Sequence, residues 1–340
     1  MSRLYLGTKR LRSVADDAPT AVYLADFDHG ALNLQRAVAF LLDPSFLACH
    51  PLRSDILYAV AESSDGFREE SLLATWKIEA DGSLTLLKTL GCGGTCGCHL
   101  SVHPSGKFLF VACYVSGQLA IFSLDAWGVP QRRTQLLSFV GRGPHPVRQQ
   151  SPHIHFVQSD PAGEYVLATD LGSDRIVSLA LREGVWEPVA TCVCRPGCGP
   201  RHGVFSADGT GFFVINELDG SLDRYRYTHG ILTLEKTTRI PEGGSGGAIA
   251  TTGRFLYVSL RGTSEIGVLD GDLRLLQRVS SGGVEPRFAG LTPDGAYLLV
   301  CNQGSRNIRV YQVLEEGTLQ AMENDVEIPW PAAAQFVEKP

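Results

Sequence analysis

The chain has 340 residues and a formal net charge of -6, which argues against a nucleic-acid-binding protein with its usual basic stripe. No stretch approaches the run of about 18 apolar residues that a membrane-spanning helix needs, so we expect no membrane partner. The nine cysteines are scattered and the first residues lack the apolar run of a signal peptide, so we expect reduced thiols and a cytoplasmic location.

A four-strand unit recurs about every 40 to 55 residues along the chain. Each copy combines a strand, a Pro-Ser-Gly or Asp-Gly turn, a buried strand and a polar end. Repeats of this size with short strands and turn glycines are typical of a β-propeller, in which matching positions of different blades meet at one central channel. Three clear copies occupy residues 99–114, 201–217 and 287–303.

We predict an all-β fold, a single domain over residues 1–340 with seven blades of four antiparallel strands. Blade one lacks its innermost strand, and the C-terminal stretch 332–338 is expected to fill that place and close the ring. An open solenoid of the same repeat is the structural alternative. The blades are predicted at residues 5–40 (with an irregular excursion at 10–19), 45–90, 98–139, 152–191, 200–240, 245–279 and 286–326.

Turns and loops fit this division. Asp81-Gly82 and Asp219-Gly220 are hairpin signals at the ends of blade strands. Two longer loops, residues 140–150 and 241–247, are expected to overhang one mouth of the channel.

Polar residues gather at one predicted rim of the channel. The first strand of a blade begins where the antiparallel second strand ends, so residues from both positions meet there. In blade four, His153 and His155 are expected to share a face because strand side chains alternate with a period of two. The first register contains Ser45, Cys98, Arg201 and Arg287, followed by Phe46, His99, His202 and Phe288. The second contains Glu62, Tyr114, Leu171, Glu217, Arg261 and Gln303, preceded by Asp170, Asn216 and Asn302.

Each of these positions also has a purely structural interpretation. Polar strand ends are often just solvated, an inner-strand histidine often bonds a backbone carbonyl, and an arginine often only neutralises a neighbour such as Glu217. Several histidines, three arginines and an acid on one rim would still be costly without a polar or anionic partner. The collective pattern therefore favours a site for a small anionic molecule.

Metal binding and nucleophilic catalysis find less support. Thiolates and imidazoles suit zinc, and the His153/His155 pair is a further chelating alternative, but the cysteine spacings match no common zinc pattern. There is no Gly-x-Ser-x-Gly elbow, and Cys98 and His99, as strand neighbours, are expected to face opposite sides. We therefore expect neither a metal nor a cofactor. The two cysteine groups are Cys92, Cys96 and Cys98, and Cys192, Cys194 and Cys198.

Several polar motifs of the chain occur together in one known family. They are residues 98–112, Pro152-His-Ile-His155, residues 170–175, Gly199-Pro-Arg-His202, Asn216-Glu-Leu218, Pro286-Arg287 and Asn302-Gln303. On these motifs the chain resembles the seven-bladed propeller lactonases, which include bacterial 6-phosphogluconolactonases and fungal carboxymuconate lactonizing enzymes. The resemblance spans nearly the full length and covers polar motifs as well as turns.

For muconate-type members, the resemblance implies a catalytic set of one histidine, two arginines and one glutamate. Motif by motif, this set falls on His153, Arg201, Glu217 and Arg261.

Three departures from the family pattern stand out. The family usually carries an acidic residue near the start of the first strand of blade six, whereas residues 246–253 contain none. Cys113 and Leu260 replace the asparagines expected before Tyr114 and Arg261.

Together, the residues and the resemblance predict a metal-independent hydrolase of a sugar lactone, with 6-phosphogluconolactone as the expected substrate. His153 or Glu217 would activate water, while Arg201 and Arg261 would stabilise the oxyanion or hold a phosphate or carboxylate. Substrate binding is predicted for His99, His155, Asp170, His202, Asn216, Arg287, Asn302 and Gln303.

Two other functions stay open. The same groups suit a cycloisomerase that lactonizes carboxymuconate, and a propeller can also be a non-catalytic module that binds a ligand or a protein. We expect a small anionic lactone or carboxylate as partner, no nucleic acid, and a monomer or weak homo-oligomer.

Overall fold

The computed structural model describes residues 2–11, 19–62, 69–240, 244–323 and 325–337. Within these ranges β-strands are the only regular secondary structure, and they form seven antiparallel sheets. The predicted all-β fold with seven four-stranded blades is confirmed. No helix capable of crossing a bilayer occurs in the described ranges.

The first three blades follow chain order from the inner to the outer strand, except that blade one receives its inner strand from the C-terminus. Blade one contains β1 (Ser2–Thr8), β2 (Ala21–Asp28) and β3 (Ala31–Phe40). Blade two contains β4 (Pro44–His50), β5 (Arg53–Ala61), β6 (Leu72–Ile78) and β7 (Leu84–Gly91). Blade three contains β8 (Gly97–Val102), β9 (Phe108–Cys113), β10 (Gln118–Leu124) and β11 (Pro130–Ser138).

The remaining blades repeat this order, and in blade seven two short strands share the outermost place. Blade four contains β12 (Ile154–Ser159), β13 (Tyr165–Asp170), β14 (Arg175–Arg182) and β15 (Val185–Val193). Blade five contains β16 (Pro200–Phe205), β17 (Gly211–Asn216), β18 (Ser221–Thr228) and β19 (Ile231–Arg239). Blade six contains β20 (Gly246–Thr251), β21 (Phe255–Leu260), β22 (Glu265–Asp270) and β23 (Leu275–Ser280). Blade seven contains β24 (Pro286–Leu291), β25 (Tyr297–Asn302), β26 (Asn307–Val313), β27 (Leu319–Ala321) and β28 (Val326–Glu327), and the chain ends with β29 (Pro331–Val337).

The ring is closed by the C-terminal strand, as predicted. Strand β29 pairs with β1 and becomes the innermost strand of blade one. The inner strands then contact one another around the whole circle, from β29 through β4, β8, β12, β16, β20 and β24 back to β29. This closed circuit excludes the open solenoid, and it leaves the inner edges of the blades short and enclosed within the ring.

The core is divided between the blades. Seven hydrophobic clusters each combine side chains from two adjacent blades, so every blade packs against both of its neighbours. The second strands are mostly buried, whereas the outermost strands such as β7 and β19 are exposed or half-buried along almost their whole length. A chain of this length can therefore fold around many small interfaces instead of one large core.

All seven inner strands carry the same pairing irregularity close to their start. A β-bulge sets extra residues against one partner and re-aims the side chain at that point. Neighbours such as Arg201 and His202 therefore both reach the interior, Arg201 towards Glu217 and His202 towards the ring of His155. The strict alternation expected for Cys98 and His99 is interrupted in the same way. The pairing passes over Ser45, Cys98, His155, Arg201, Gly247 with Ala248, Arg287 and Ala332.

The predicted turns and loops have three different outcomes. Gly82 and Gly220 take positive φ at turns between strands, which agrees with the Asp-Gly signals. Residues 140–150 approach the channel, because Val147 and Arg148 line the cavity described below. Residues 12–18 of the predicted excursion, 241–243 of the second loop and 338 of the closing stretch lie outside the described residues.

Candidate functional site

A cavity of about 350 Å³ lies where the inner strands begin and the second strands end. Its volume falls at the lower end of the range typical of small-ligand sites, about 300 to 1,000 Å³. Residues from all seven blades and one loop converge on it. The lining residues are Lys9, Glu62, Cys96, Cys98, Tyr114, Val115, Val147, Arg148, His153, His155, Glu217, Arg261 and Arg287.

Glu217 forms the centre of one wall of this cavity. Its Oε2 accepts a hydrogen bond from Arg201 Nε at 2.9 Å and forms an ion pair with Arg261 Nη2 at 2.8 Å, and Oε1 pairs with Arg148. Burial alone would raise the pKa of Glu217, but the charges of Arg261, Arg201 and Arg148 hold that pKa well below its ordinary value. Glu217 therefore stays ionised and fixes three guanidinium groups in place.

Arg201 supports this wall from behind. It is buried, and besides Glu217 it donates from Nη1 to the carbonyl oxygen of Gly247 at 2.5 Å. Burial and the charge of Arg261 lower the pKa of Arg201 to about 9, so it remains a cation at neutral pH. Arg261 is nearer to the open space, and its buried Nε has no hydrogen-bond partner among the described residues.

His153 is held in one orientation beside the same wall. Its ring stacks on Tyr114 with centroids 4.5 Å apart and an interplanar angle of 12°. Its Nδ1 lies 2.9 Å from the carbonyl oxygen of Tyr114, and its backbone N–H donates to Asp170 Oδ1 at 2.7 Å. A carbonyl oxygen only accepts, so Nδ1 carries the proton and Nε2 holds the unshared pair of the neutral ring.

Glu62 forms the centre of a second wall. Its carboxylate pairs with Lys9, accepts a hydrogen bond from Arg287 Nη2 at 3.0 Å, and lies 3.3 Å from the thiol of Cys96. Burial alone would raise the pKa of Glu62, but Lys9 and Arg287 lower it to about 2. Burial, together with the charge of Arg287, lowers the pKa of Lys9.

The cavity as a whole is electropositive. Lys9, Arg148, Arg261 and Arg287 line it, Arg201 stands behind it, and only Glu62 and Glu217 oppose their charge among its lining residues. An anionic molecule is the natural occupant of such a cavity, because it supplies the missing negative charge.

Histidines and phenylalanines close the channel beneath the cavity. His99 packs between Phe46 and Phe156, with ring centroids 4.0 and 4.5 Å away. His202 lies 5.3 Å from His99 and from His155. Burial lowers the pKa of His99 to about 3 and depresses the pKa values of His155 and His202 well below the ordinary range, so these rings are neutral.

The structure separates the predicted site residues into three groups: those at the cavity, those in the layer beneath it, and those that bond neighbouring parts of the chain. His153, His155, Glu217, Arg261 and Arg287 share the cavity lining, and Arg201 reaches it through Glu217. His99 and His202 belong to the layer underneath and do not line the cavity.

Four predicted substrate-binding residues stabilise the backbone instead of lining the cavity. Asp170 accepts N–H groups of His153, Gly172 and Ser173, because its strand ends in a tight turn. The other three direct their amides towards neighbouring parts of the chain, Asn216 to side chains of β18 and the other two to backbone carbonyls. Asn216 bonds Ser221 and Asp223, Asn302 bonds the carbonyl of Ser281, and Gln303 bonds the carbonyl of Lys9 at 2.7 Å.

Eight lining residues were not among the predicted site residues: Lys9, Glu62, Cys96, Cys98, Tyr114, Val115, Val147 and Arg148. Tyr114 and Glu62 already stood in the second polar register, so their places were readable from the repeat. Arg148 lies in the predicted overhanging loop, where its Nη2 donates to Tyr114 Oη at 3.0 Å. Lys9 directly follows β1, the second strand of blade one, which is the position that Glu62 and Glu217 occupy in their own blades. The second register, extended to blade one, would therefore have found it.

The cysteines are free thiols distributed through the packing. Cys92 and Cys98 belong to hydrophobic clusters on different sides of blade three, and Cys194 and Cys198 to the cluster between blades four and five. Within the described ranges, no group of three or more His, Cys, Asp or Glu side chains is placed to hold a metal ion.

The family described as Lactonase, 7-bladed beta-propeller, matches residues 4–336. The chain belongs to this family. The 6-phosphogluconolactonase of Bacillus subtilis is 30% identical over 330 residues, which cover 92% of this chain and 93% of that protein. The 6-phosphogluconolactonase of Formosa agariphila is 30% identical over 347 residues, with 95% and 98% covered. The predicted membership and the lactone-hydrolase class are thereby confirmed.

Solved structures agree with the fold over the whole length. A putative 6-phosphogluconolactonase from Bacteroides fragilis superimposes with a TM-score of 0.89 at 25% identity, covering 99% of this chain and 98% of that chain. A periplasmic gluconolactonase from Pseudomonas aeruginosa gives a TM-score of 0.88 at 27% identity, covering 100% and 99%. Relatives of this lactonase therefore include proteins named for a phosphorylated and for an unphosphorylated sugar lactone.

Proposed function

We propose that this lactonase hydrolyses 6-phosphogluconolactone in the cavity at the mouth of its channel. The observation that carries the proposal is the position of His153, a tautomer-fixed imidazole beside an arginine wall that is itself fixed by Glu217. The names of the two curated relatives support the substrate. The electropositive lining supports an anionic one.

The proposed reaction begins with a water molecule between His153 and the lactone carbonyl. Nε2 of His153 takes a proton from this water as its oxygen bonds to the carbonyl carbon. Arg261, whose Nε has no hydrogen-bond partner among the described residues, donates to the carbonyl oxygen as it becomes an oxyanion. The bond from the carbonyl carbon to the ring oxygen then breaks, and that oxygen takes the proton from the imidazolium. The product is the ring-opened sugar acid.

The pKa of Glu217 favours His153 as the base. A carboxylate held by Arg148, Arg201 and Arg261 has little affinity for a proton, so Glu217 is better suited to fixing the arginines than to activating water. This assignment chooses between the two bases that the sequence left open.

The test is hydrolysis of 6-phosphogluconolactone by the wild type and by His153→Ala, after subtraction of the spontaneous rate. Loss of a general base lowers kcat by roughly 100- to 10,000-fold. His229→Asn is the matched control, because His229 is 80% exposed on its side chain and lies outside the cavity lining.

Wild-type turnover no faster than the spontaneous rate would refute the proposal. Turnover of carboxymuconate alone would identify the cycloisomerase instead. Absence of turnover on all these compounds would favour a binding module. Equal rates for wild type and His153→Ala would remove His153 from the mechanism.

Location and assembly are proposed on less specific grounds. Nine free thiols suit a reducing compartment, which supports a cytoplasmic enzyme. We retain a monomer or weak homo-oligomer as the working assembly, to be tested by light scattering.

A further inference from the structure

The Glu62 wall has no part in the hydrolytic steps proposed above. Lys9 and Arg287 line the cavity there, and each pairs with the buried carboxylate of Glu62. An ammonium group has three N–H donors and a guanidinium has five, so one carboxylate does not exhaust them. The wall therefore offers donors to a second anionic group of a ligand.

Lys9 is held in position by the residues that close the ring. Its backbone N–H donates to the carbonyl of Trp330 at 2.9 Å, and its own carbonyl accepts from Gln303 Nε2 at 2.7 Å. Gln303 directly follows β25 in blade seven, and Trp330 directly precedes the closing strand β29. A lysine fixed by both backbone groups and by Glu62 needs little further ordering when it binds an anion.

The two walls face different parts of any bound lactone. The base His153 stacks on Tyr114, which accepts a hydrogen bond from Arg148 of the Glu217 wall, so the reacting carbonyl belongs on that side. Cys98 also lines the cavity, with its sulfur 3.8 Å from Nδ1 of His155. The Glu62 wall therefore remains for the end of the substrate that does not react.

We propose that Lys9 and Arg287 bind an anionic group that the lactone carries away from its carbonyl, and that this pair selects phosphorylated over neutral sugar lactones. The inference rests on the proposed hydrolysis and assigns the phosphate of 6-phosphogluconolactone to the Glu62 wall. The Glu217 wall then acts on the carbonyl alone.

The selectivity ratio tests this assignment. We compare kcat/KM for 6-phosphogluconolactone with kcat/KM for gluconolactone in the wild type and in Lys9→Gln. Loss of a charge-assisted contact lowers the ratio by roughly 10- to 100-fold. Lys9→Arg retains the charge and is expected to keep most of the preference. Lys77→Gln, at an exposed surface ion pair, is the matched control and leaves the ratio unchanged.

A second measurement uses only the wild type and therefore does not depend on folding of a variant. Inorganic phosphate is expected to compete with 6-phosphogluconolactone and to inhibit gluconolactone hydrolysis much more weakly. Equal competition against both lactones, or an unchanged ratio in Lys9→Gln, would overturn the assignment. If the wild type hydrolyses neither lactone, the proposed function itself fails, whereas hydrolysis of both without preference contradicts only the phosphate subsite.

Discussion

The two walls of the cavity share one arrangement of charges but have different proposed roles. In each wall, a buried carboxylate forms ion pairs with cationic side chains. Glu217 pairs with three arginines, and Glu62 pairs with Lys9 and Arg287. The Glu217 wall has the proposed base His153 beside it and includes Arg148, whose side chain is 39% exposed. The corresponding exposure is 13% for both Lys9 and Arg287. In the proposed mechanism, both walls present fixed hydrogen-bond donors, but only the Glu217 wall has a proton acceptor, His153, beside it. This difference makes the Glu217 wall the proposed reacting centre.

The largest effect is expected for Glu217→Gln. Without the carboxylate, Arg148, Arg201 and Arg261 repel one another and lose their common partner, so we expect kcat to fall by about 1,000-fold or more. Breaking a buried charge pair also costs about 3 to 5 kcal/mol of stability, which urea unfolding measures. Glu265→Gln, at a partly exposed pair with Arg278, is the control. A Glu217→Gln variant with wild-type kcat would show that the reacting centre lies elsewhere.

The second prediction concerns acid stability of the Glu62 wall. The folded-state pKa of Glu62 is lowered from 4.5 to about 2, so ionised Glu62 stabilises the fold above pH 4.5. That contribution, roughly 3 kcal/mol, is lost as the pH falls through about 2. In Glu62→Gln it is absent at every pH. The difference in unfolding free energy between wild type and variant should therefore shrink between pH 5 and pH 2, and a constant difference would contradict the pairing.

The smallest effect is expected beneath both walls. His99 is neutral, with a pKa lowered to about 3 by burial, and it packs against Phe46 and Phe156. We expect His99→Phe to change kcat by less than about threefold and stability by less than about 1.5 kcal/mol, because the ring is replaced by one of similar shape. The pH–rate profile should keep its form. A tenfold loss of kcat would place this imidazole in the chemistry.

The sequence predicted the propeller more completely than the site. Repeated strand and turn signals located all seven blades, and the missing inner strand of blade one pointed to closure by the C-terminus. The polar registers brought His153, Glu217, Arg261 and Arg287 to one rim, and the structure places these four around one cavity. Both results depend on patterns that recur locally along the chain.

The direction of individual side chains was less accessible. Asp170, Asn216 and Asn302 occupy matching strand ends, yet their polar atoms bond nearby backbone and side chains instead of facing the cavity. His99 and His202 follow the bulged positions and lie one layer lower. A register shows which residues are level with one another, but bulges and turns decide which of them point inward.

By itself, the sequence determined the all-β repeat, the number of blades and the level at which polar groups gather, because hydrophobic alternation and turn chemistry act over a few neighbouring residues. Only the tertiary structure decided that Arg148 joins Glu217 and that Lys9 joins Glu62, 69 and 53 residues apart in the chain. Pairings of this kind depend on how the closed ring brings distant loops together. No local periodicity encodes them, and they give the cavity its two separate walls.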